Sequence, residues 1–248
     1  LNGTTVSLSN GATTEGKTGL IRCKDSDTGK LVREREIRAG KFVGLNRYFE
    51  NGEVSFEYGE DENGRRHGTE RKYAPNKQLI LEVNEEHGTR KGFQREWYPD
   101  GVLRSVEFIA KDGEEKASIR YTPKAAINSL RCAKKALLAP HADDASLCGF
   151  KGKANTITYF HDGGQKRATE IILAGEVQHS TSYDYNTGKI TATSEVKGKE
   201  QIDIRYEQGN KRNEVVWNLA EKSRAFIRKA EFHESGALQK EQKFAMFD

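Results

Sequence analysis

The sequence predicts a mainly β protein with two arrays of antiparallel β-hairpin repeats, which form elongated twisted sheets joined by one helical insertion. Glycines recur about two dozen residues apart in the first half of the chain, and turn dipeptides follow each glycine half a period later. The segments between these turns alternate apolar and polar residues, as half-buried strands do. A fixed period with hairpin turns is the pattern of a repeat protein.

The first array is predicted over residues 15–121. Asn51-Gly52 and Asp100-Gly101 are hairpin turn pairs, because both residue types accept the positive φ angles of tight turns. In the strand that follows Gly52, the apolar side chains of Val54, Phe56 and Tyr58 alternate with polar ones, so they lie on one face. The periodic glycines of this array are Gly19, Gly44, Gly68 and Gly92.

A helical insertion is predicted over residues 122–150, where the glycine period is absent. The run from Pro123 to Pro140 places alanine, isoleucine and leucine on one approximate stripe, which favours a helix. We expect Cys132 and Cys148 to form a disulfide that closes a short loop and contributes about 3 kcal/mol. Such a bridge indicates an oxidising compartment, whereas two reduced, buried cysteines in a cytosolic protein are the alternative.

A second, degenerate array is predicted over residues 151–248. Its aromatic residues recur with the same spacing, and a glycine-containing turn follows each one. The first 14 residues are mostly polar, and they predict a flexible N-terminal tether. The aromatic positions of the second array are Tyr159, Tyr183, Tyr206 and Phe232.

The composition fits thin sheets with solvated faces. Hydrophobic residues make up 35% and charged residues 31% of the 248 residues, and the mean hydropathy is −0.82. One antiparallel sheet needs less apolar material than a two-layer core. The aromatic residues are expected to stack into ladders along the sheets.

The charge pattern argues against a nucleic-acid partner. The net charge is +4, and acidic and basic residues are interleaved, as in Arg33-Glu34-Arg35-Glu36. Phosphate binding favours a basic stripe, which this pattern does not supply. The sequence has no apolar run of 18 residues, so no membrane span is predicted.

The sequence predicts neither an enzyme nor a cofactor site. Nucleophile-elbow, phosphate-loop and zinc-protease motifs are absent from it. His141, Asp143, Asp144 and Cys148 are close together in sequence but lack regular zinc-ligand spacing, so no metal site is predicted.

The glycine-and-aromatic pattern resembles the bacterial variant of the MORN repeat, found in proteins of the YwqK antitoxin family. The resemblance extends over residues 38–110, is weaker over 15–37 and is degenerate over 151–240. Three segments carry it: Gly40-Lys-Phe-Val-Gly44-Leu-Asn-Arg-Tyr48-Phe49, Gly64-Arg-Arg-His-Gly68-Thr-Glu-Arg-Lys-Tyr73, and Gly88-Thr-Arg-Lys-Gly92-Phe-Gln-Arg-Glu-Trp97.

The resemblance implies an exported immunity protein that binds and neutralises a toxic effector of bacterial competition, such as a membrane-attacking phospholipase. The chain begins at Leu1 and its only methionine is Met246, so we expect an upstream segment to have been removed. This expectation favours a periplasmic protein, with or without an N-terminal lipid anchor. The candidate contact residues are Trp97, Tyr98, Glu60, Asp61 and Glu62.

Two other functions fit the same sequence features. A structural surface lipoprotein that scaffolds an envelope complex would share the repeats, the cysteines and the tether. A lipid- or glycan-binding module would use its aromatic rows as an exposed platform. The identity of the adjacent gene would distinguish a structural lipoprotein from an immunity protein. Binding to liposomes or glycans would reveal a lipid- or glycan-binding module.

Overall fold

The protein is mainly β in the computed structural model, which describes residues 5–6, 11–113, 116–219 and 225–244. The strands form two antiparallel sheets, of ten and eight strands, and in each sheet the strands are ordered as they occur in the chain. The prediction of a mainly β protein built from two antiparallel sheets is therefore confirmed.

The first sheet joins consecutive strands by hairpin turns or short loops. Its strands are β1 (Gly19–Lys24), β2 (Leu31–Arg38), β3 (Lys41–Glu50), β4 (Glu53–Glu60), β5 (Gly68–Tyr73), β6 (Leu79–Glu86), β7 (Thr89–Trp97), β8 (Leu103–Ile109), β9 (Lys116–Tyr121) and β10 (Ile127–Arg131).

The second sheet follows the same sequential order. Its strands are β11 (Asn155–Phe160), β12 (Lys166–Leu173), β13 (Glu176–Tyr183), β14 (Ile190–Lys197), β15 (Glu200–Glu207), β16 (Asn210–Asn218), β17 (Ala225–Phe232) and β18 (Leu238–Lys243).

The predicted helix between Pro123 and Pro140 is wrong. Residues 127–131 form strand β10, and the only α-helix in the described part of the chain is α1 (Asp144–Leu147). The turn before β10 explains the difference, because Thr122 Oγ1 accepts the backbone N–H groups of Lys124 (3.3 Å) and Ala126 (3.2 Å). Ala125 has a φ of 59°, which is incompatible with a right-handed helix.

The Asn51-Gly52 pair forms the primed hairpin turn that its composition predicts. Asn51 has a φ of 51° and Gly52 a φ of 84°, so both residues lie in the left-handed region. Two consecutive left-handed residues match the twist of the flanking strands, which are β3 and β4. The same geometry occurs at Ala174-Gly175 in the second sheet, with φ angles of 50° and 85°.

A loop in which an aspartate accepts hydrogen bonds from a threonine three residues later occurs in both sheets. In the loop between β1 and β2, Asp25 Oδ1 accepts hydrogen bonds from the N–H (2.8 Å) and the hydroxyl (2.7 Å) of Thr28. In the loop between β13 and β14, Asp184 Oδ1 accepts both from Thr187, each at 2.8 Å. Local aspartate hydrogen bonds of this kind fix a loop without needing a hydrophobic core.

The chain divides into two compact units, residues 1–118 and 119–248. In the first unit, the buried apolar side chains come from strands spread across the sheet, and several polar side chains are buried beside them. One of these, Asn46, donates from Nδ2 to Tyr58 Oη (2.8 Å) and accepts from Arg33 Nε (3.1 Å). The buried apolar residues include Ile21, Ile37, Val83 and Val106.

The second unit has a small hydrophobic core at its N-terminal end. Ile157, Tyr159 and Ile172 are at most 3% exposed, and Ile127, Leu130, Cys132, Leu147 and Ala168 pack against them. Each fully buried side chain of this size contributes roughly 1.5 to 3 kcal/mol. The apolar residues that favoured a helix in the sequence therefore serve as strand and loop contacts to this core.

The predicted disulfide is confirmed, because Cys132 and Cys148 are bonded across a separation of 16 residues. Cys148 is fully buried at the end of α1. Asp144, the first residue of α1, is also buried, and its Oδ2 accepts the backbone N–H groups of Leu137 (2.7 Å) and Leu138 (3.0 Å). The disulfide and this carboxylate together fix the segment between β10 and β11.

Most of the predicted tether, residues 1–14, lies outside the described residues. Its last part is not a free tether, because Gly11–Thr13 forms a 3-10 helix and Thr14 is buried. Among the described residues, no helix has the length and apolar character needed to cross a membrane.

Candidate functional site

Trp97 and Tyr98 lie where β7 ends and turns into β8. The Tyr98 N–H donates to Val102 O (2.8 Å), and the Gly101 N–H donates to Tyr98 O (2.9 Å). Gly101 has a φ of 88°, and only glycine adopts this conformation without strain. The turn therefore displays the two aromatic side chains in one fixed backbone conformation.

Neighbouring turns support this aromatic turn. Asn76 Nδ2 donates to Pro99 O (2.8 Å), and Lys77 Nζ donates to Glu53 Oε1 (2.6 Å). Three successive turns at one end of the first sheet are thus cross-linked by side chains. We call residues 51–53, 74–78 and 97–101 the turn end.

Arginine side chains cover both aromatic rings. The guanidinium carbon of Arg95 lies 5.5 Å from the Trp97 ring centroid, and that of Arg104 lies 5.7 Å from the Tyr98 centroid. Cation–π contacts of this kind contribute about 0.5 to 1 kcal/mol at exposed positions. They restrict the motion of the rings while leaving both residues half-buried rather than enclosed.

The acidic candidates Glu60, Asp61 and Glu62 lie at the opposite end of the first sheet. Strand β4 starts beside the turn end and runs away from it, and Glu60 is its last residue. The structure therefore separates the acidic candidates from Trp97 and Tyr98 by the length of a strand. The five predicted contact residues do not form one site.

Glu60 and Asp61 are occupied by contacts within the protein. Arg35 Nη2 donates to Glu60 Oε2 (2.6 Å), and Asp61 Oδ2 lies 2.7 Å from His87 Nδ1. The hydrogen bond from His87, followed by the backbone N–H of Arg65, lowers the pKa of Asp61. These contacts fix the loop between β4 and β5, and only Glu62 among the three projects without a described partner.

An alternating charge ladder, which sequence reasoning missed, crosses the first sheet. Each member lies directly opposite the next in the strand pairing, so that every carboxylate lies between two arginines. The ladder residues, from β1 to β7, are Arg22, Glu34, Arg47, Glu57, Arg71, Glu82 and Arg95.

The ladder contacts are direct ion pairs. Arg22 Nε donates to Glu34 Oε1 (2.7 Å), and Arg47 Nε donates to Glu57 Oε2 (3.0 Å). The three glutamate side chains are only 9–13% exposed, whereas the arginines are 28–65% exposed. The buried carboxylates are thus stabilised by cations that remain in contact with water.

A groove crosses one face of the second sheet, from β13 to β17. It has a volume of about 480 Å³. Ser180, Ala192 and Ser194 form its floor on β13 and β14, and because these side chains are short, the surface is lowered there. Longer side chains on β15 to β17 rise beside the floor, namely Arg205, Asn213, Trp217 and Lys229.

Asp203 organises the polar groups of the groove. Its Oδ1 accepts from Ser194 Oγ (2.6 Å) and Gln201 Nε2 (2.7 Å), and its Oδ2 accepts from Trp217 Nε1 (2.8 Å). Trp217 also contacts the exposed Phe226, with ring centroids 4.2 Å apart. The run of serine and threonine residues in β13 and β14 was a sequence signal for this groove. The hairpin pattern alone did not reveal the groove.

The side chains of His141, Asp143, Asp144 and Cys148 have partners within the protein. Cys148 is in the disulfide, and Asp143 accepts from the N–H and the hydroxyl of Ser146 at the start of α1. Asp144 accepts the backbone N–H groups of residues 137 and 138. Within the described ranges, no group of three or more histidine, cysteine, aspartate or glutamate residues could hold a metal ion.

Comparisons with known proteins do not assign a family. No protein-family model matches the chain, and no curated protein matches it significantly. Solved structures that match include a TcdB2–TccC3 crystal structure, with 10% identity and a TM-score of 0.23 over 88% of this chain, and the TcdB2–TccC3–Cdc42 structure, with 10% identity and a TM-score of 0.22 over 90%. The chain spans only 13–14% of the length of these structures. At this level of similarity, the likeness carries no functional argument.

Proposed function

We propose that the protein acts by binding, without turnover, as an exported immunity protein that neutralises a toxic effector of bacterial competition. The observation that carries this proposal is the preorganised aromatic pair at the turn end. Tryptophan and tyrosine are the residues most enriched at the energetic centres of protein interfaces. Trp97 and Tyr98 would supply such a centre for the effector.

Preorganisation favours this role. The backbone hydrogen bonds of the 98–101 turn and the bond from Asn76 to Pro99 hold the turn before any partner arrives. Ordering of loops and side chains is a main cost of association, so a turn that is already ordered binds more tightly. The acidic loop is a weaker candidate because Glu60 and Asp61 already have partners inside the protein.

We also propose that the two sheets are arrays of hairpin repeats of the MORN-like type. The primed turn at Asn51-Gly52 and the sequential strand order support this assignment. The matching aspartate–threonine loops of the two sheets support an origin by repetition of one unit. Such arrays provide a long surface for a protein partner.

The disulfide supports a location in the periplasm, because such bonds persist in oxidising compartments. An N-terminal lipid anchor is part of the same proposal. Labelling the full-length gene product with a lipid precursor tests for it. The choice of a membrane-attacking phospholipase as the effector rests only on the resemblance to the YwqK antitoxin family.

Co-expression tests the proposal. The product of the adjacent gene is directed to the periplasm, with and without this protein, and growth is followed. We expect the wild-type protein to restore growth. Tyr98→Ala should protect less well, because it should weaken effector binding at least tenfold, by about 1.4 kcal/mol or more. Glu62→Ala, a change in the exposed loop at the far end of the sheet, is the matched control and should protect fully.

Two outcomes would count against the proposal. If killing continued in the presence of a folded, exported wild-type protein, the immunity function would be wrong. If Tyr98→Ala protected as well as Glu62→Ala, the effector would contact another surface. Circular dichroism of both variants establishes that neither change has unfolded the sheet.

A further inference from the structure

The groove on the second sheet contains polar groups that have no partner within the described residues. The Arg205 guanidinium, the Asn213 amide and the Ser180 hydroxyl all line it. None of the three side chains makes a hydrogen bond or ion pair with the described part of the chain. Donors and acceptors of a ligand could therefore bind them without displacing an existing contact.

The charge of the groove favours an anionic ligand. Its charged lining residues are Arg205, Lys229 and Asp203, and Lys229 is already paired with Glu231 at 3.3 Å, so Arg205 is the cation that a ligand would meet. Asp203 already accepts three hydrogen bonds from Ser194, Gln201 and Trp217, whereas Arg205 has no partner. A carboxylate on the ligand would pair with the planar guanidinium of Arg205 in two-pronged geometry.

Trp217 gives the groove an aromatic boundary. Its indole N–H is fixed on Asp203 Oδ2 at 2.8 Å, and Phe226 packs against the ring. The indole is therefore held in one orientation at the groove. A flat ring beside open hydrogen-bonding groups is suited to a sugar, which offers both an apolar ring face and polar edges.

The spacing of these groups indicates a ligand longer than one sugar ring. Arg205 pairs with Asn213 across β15 and β16, and Gln201 pairs with Trp217. The two pairs are four residue steps apart, which corresponds to about 13 Å along the strand. The groove volume of about 480 Å³ is also in the range of small-ligand sites.

We propose that this groove binds a short acidic oligosaccharide. One sugar ring lies against Trp217, the carboxylate of a neighbouring uronic-acid-type sugar pairs with Arg205, and sugar hydroxyls bond to Asn213 and Ser180. The hydroxyl-lined floor favours this ligand over a peptide, whose apolar side chains would find serine and alanine there. The site is independent of the proposed effector contact at the turn end.

Tryptophan fluorescence gives a direct test, because the chain contains only Trp97 and Trp217. In the Trp97→Phe variant, Trp217 is the sole reporter. We titrate it with a trigalacturonate and with the fully methyl-esterified form of the same trisaccharide, which lacks the charge. The acid should change the emission saturably, and the ester should bind at least tenfold more weakly.

Arg205→Gln in the same background should reduce the affinity for the acid at least tenfold and leave the weak binding of the ester unchanged. Arg131→Gln is the matched control, because Arg131 is exposed on β10 outside the groove. It should leave both affinities unchanged. Far-ultraviolet circular dichroism establishes that the variants remain folded.

Three results would overturn the proposal. These are the absence of any saturable change with the acid, equal affinity for acid and ester, and unchanged affinity in Arg205→Gln. A triglutamate peptide is titrated in parallel. If it binds as tightly as the acidic sugar, the groove recognises charge or peptide rather than a saccharide, and the assignment fails.

Discussion

Arg71 Nε donates a hydrogen bond to Glu82 Oε2 at 2.9 Å, across the pair of strands β5 and β6. The two residues lie directly opposite each other in the register, and Arg95 contacts the other oxygen of the same carboxylate from β7. Glu82 is 13% exposed, so it is a partly buried charge between two cations. Substitution of Glu82 is therefore the most direct test of whether the charge ladder stabilises the sheet.

We expect Glu82→Gln to lower the free energy of unfolding by about 1 to 2 kcal/mol. The change removes the charge from a largely buried carboxylate that accepts from two arginines. The expected loss lies between that of an exposed ion pair and that of a hydrogen bond to a charged group. Urea unfolding measures it. Glu53→Gln is the control, since Glu53 is 58% exposed and its pair with Lys77 should contribute less than about 0.5 kcal/mol. Equal losses in the two variants would contradict a special role for the ladder.

The stability of the protein should fall as the solution becomes acidic. Burial alone would raise the pKa of Glu82, but hydrogen bonds from Arg71 and Arg95 outweigh it and lower the pKa. A lowered pKa in the folded state means that the stabilisation is complete above the unfolded value, about 4.3, and is lost as the pH falls through and below it. Urea midpoints at pH 7 and pH 4 should therefore differ more for the wild type than for Glu82→Gln. Identical pH dependence in the two proteins would show that Glu82 does not contribute.

Removing the disulfide should destabilise the second unit by about 3 kcal/mol, the value expected for a loop of this length. The paired change Cys132→Ala and Cys148→Ala avoids a free thiol. Because Cys132 packs against Ile157, Tyr159 and Ile172, amide exchange should increase first in β11 and β12. Exchange in β3 and β4 of the first unit serves as the internal control. An increase spread evenly over both units would argue against a local role.

Gly149→Ala should be strongly destabilising, by about 3 kcal/mol or more. Gly149 has a φ of 69°, and a Cβ placed there would lie 2.7 Å from Ile172 O and 2.9 Å from Leu173 Cα. Gly152→Ala is the matched control, because Gly152 has a similar φ of 78° but nothing within 4 Å of a Cβ. Its cost should be about 1 kcal/mol, from backbone strain alone. Similar melting temperatures for the two variants would refute the steric argument.

Local signals predicted the parts of this structure that local chemistry controls. Asn51-Gly52 forms the expected primed turn because its conformational preference needs no distant partner. The bond between Cys132 and Cys148 was also predictable, since 16 residues and a turn allow the two to meet. The helix predicted from Pro123 was wrong because Ile127 and Leu130 pack against a core that comes from later strands.

The two surface features could not be read from hairpin periodicity, because both depend on register between strands. Arg71 and Glu82 are ordinary surface residues in the sequence, and only the pairing of β5 with β6 places them opposite each other. In the same way, Ser194 and Asp203 meet only through the pairing of β14 with β15. A shift of one residue in either pair would move these side chains to opposite faces.

The alternation of charge along the ladder limits how the first sheet could grow or shrink during evolution. Deleting β3 alone would bring Glu34 beside Glu57, and like charges directly opposite each other are destabilising. Loss of two adjacent strands would instead restore an arginine–glutamate neighbour pair. Duplications and deletions in this part of the gene should therefore be tolerated in even numbers of strands.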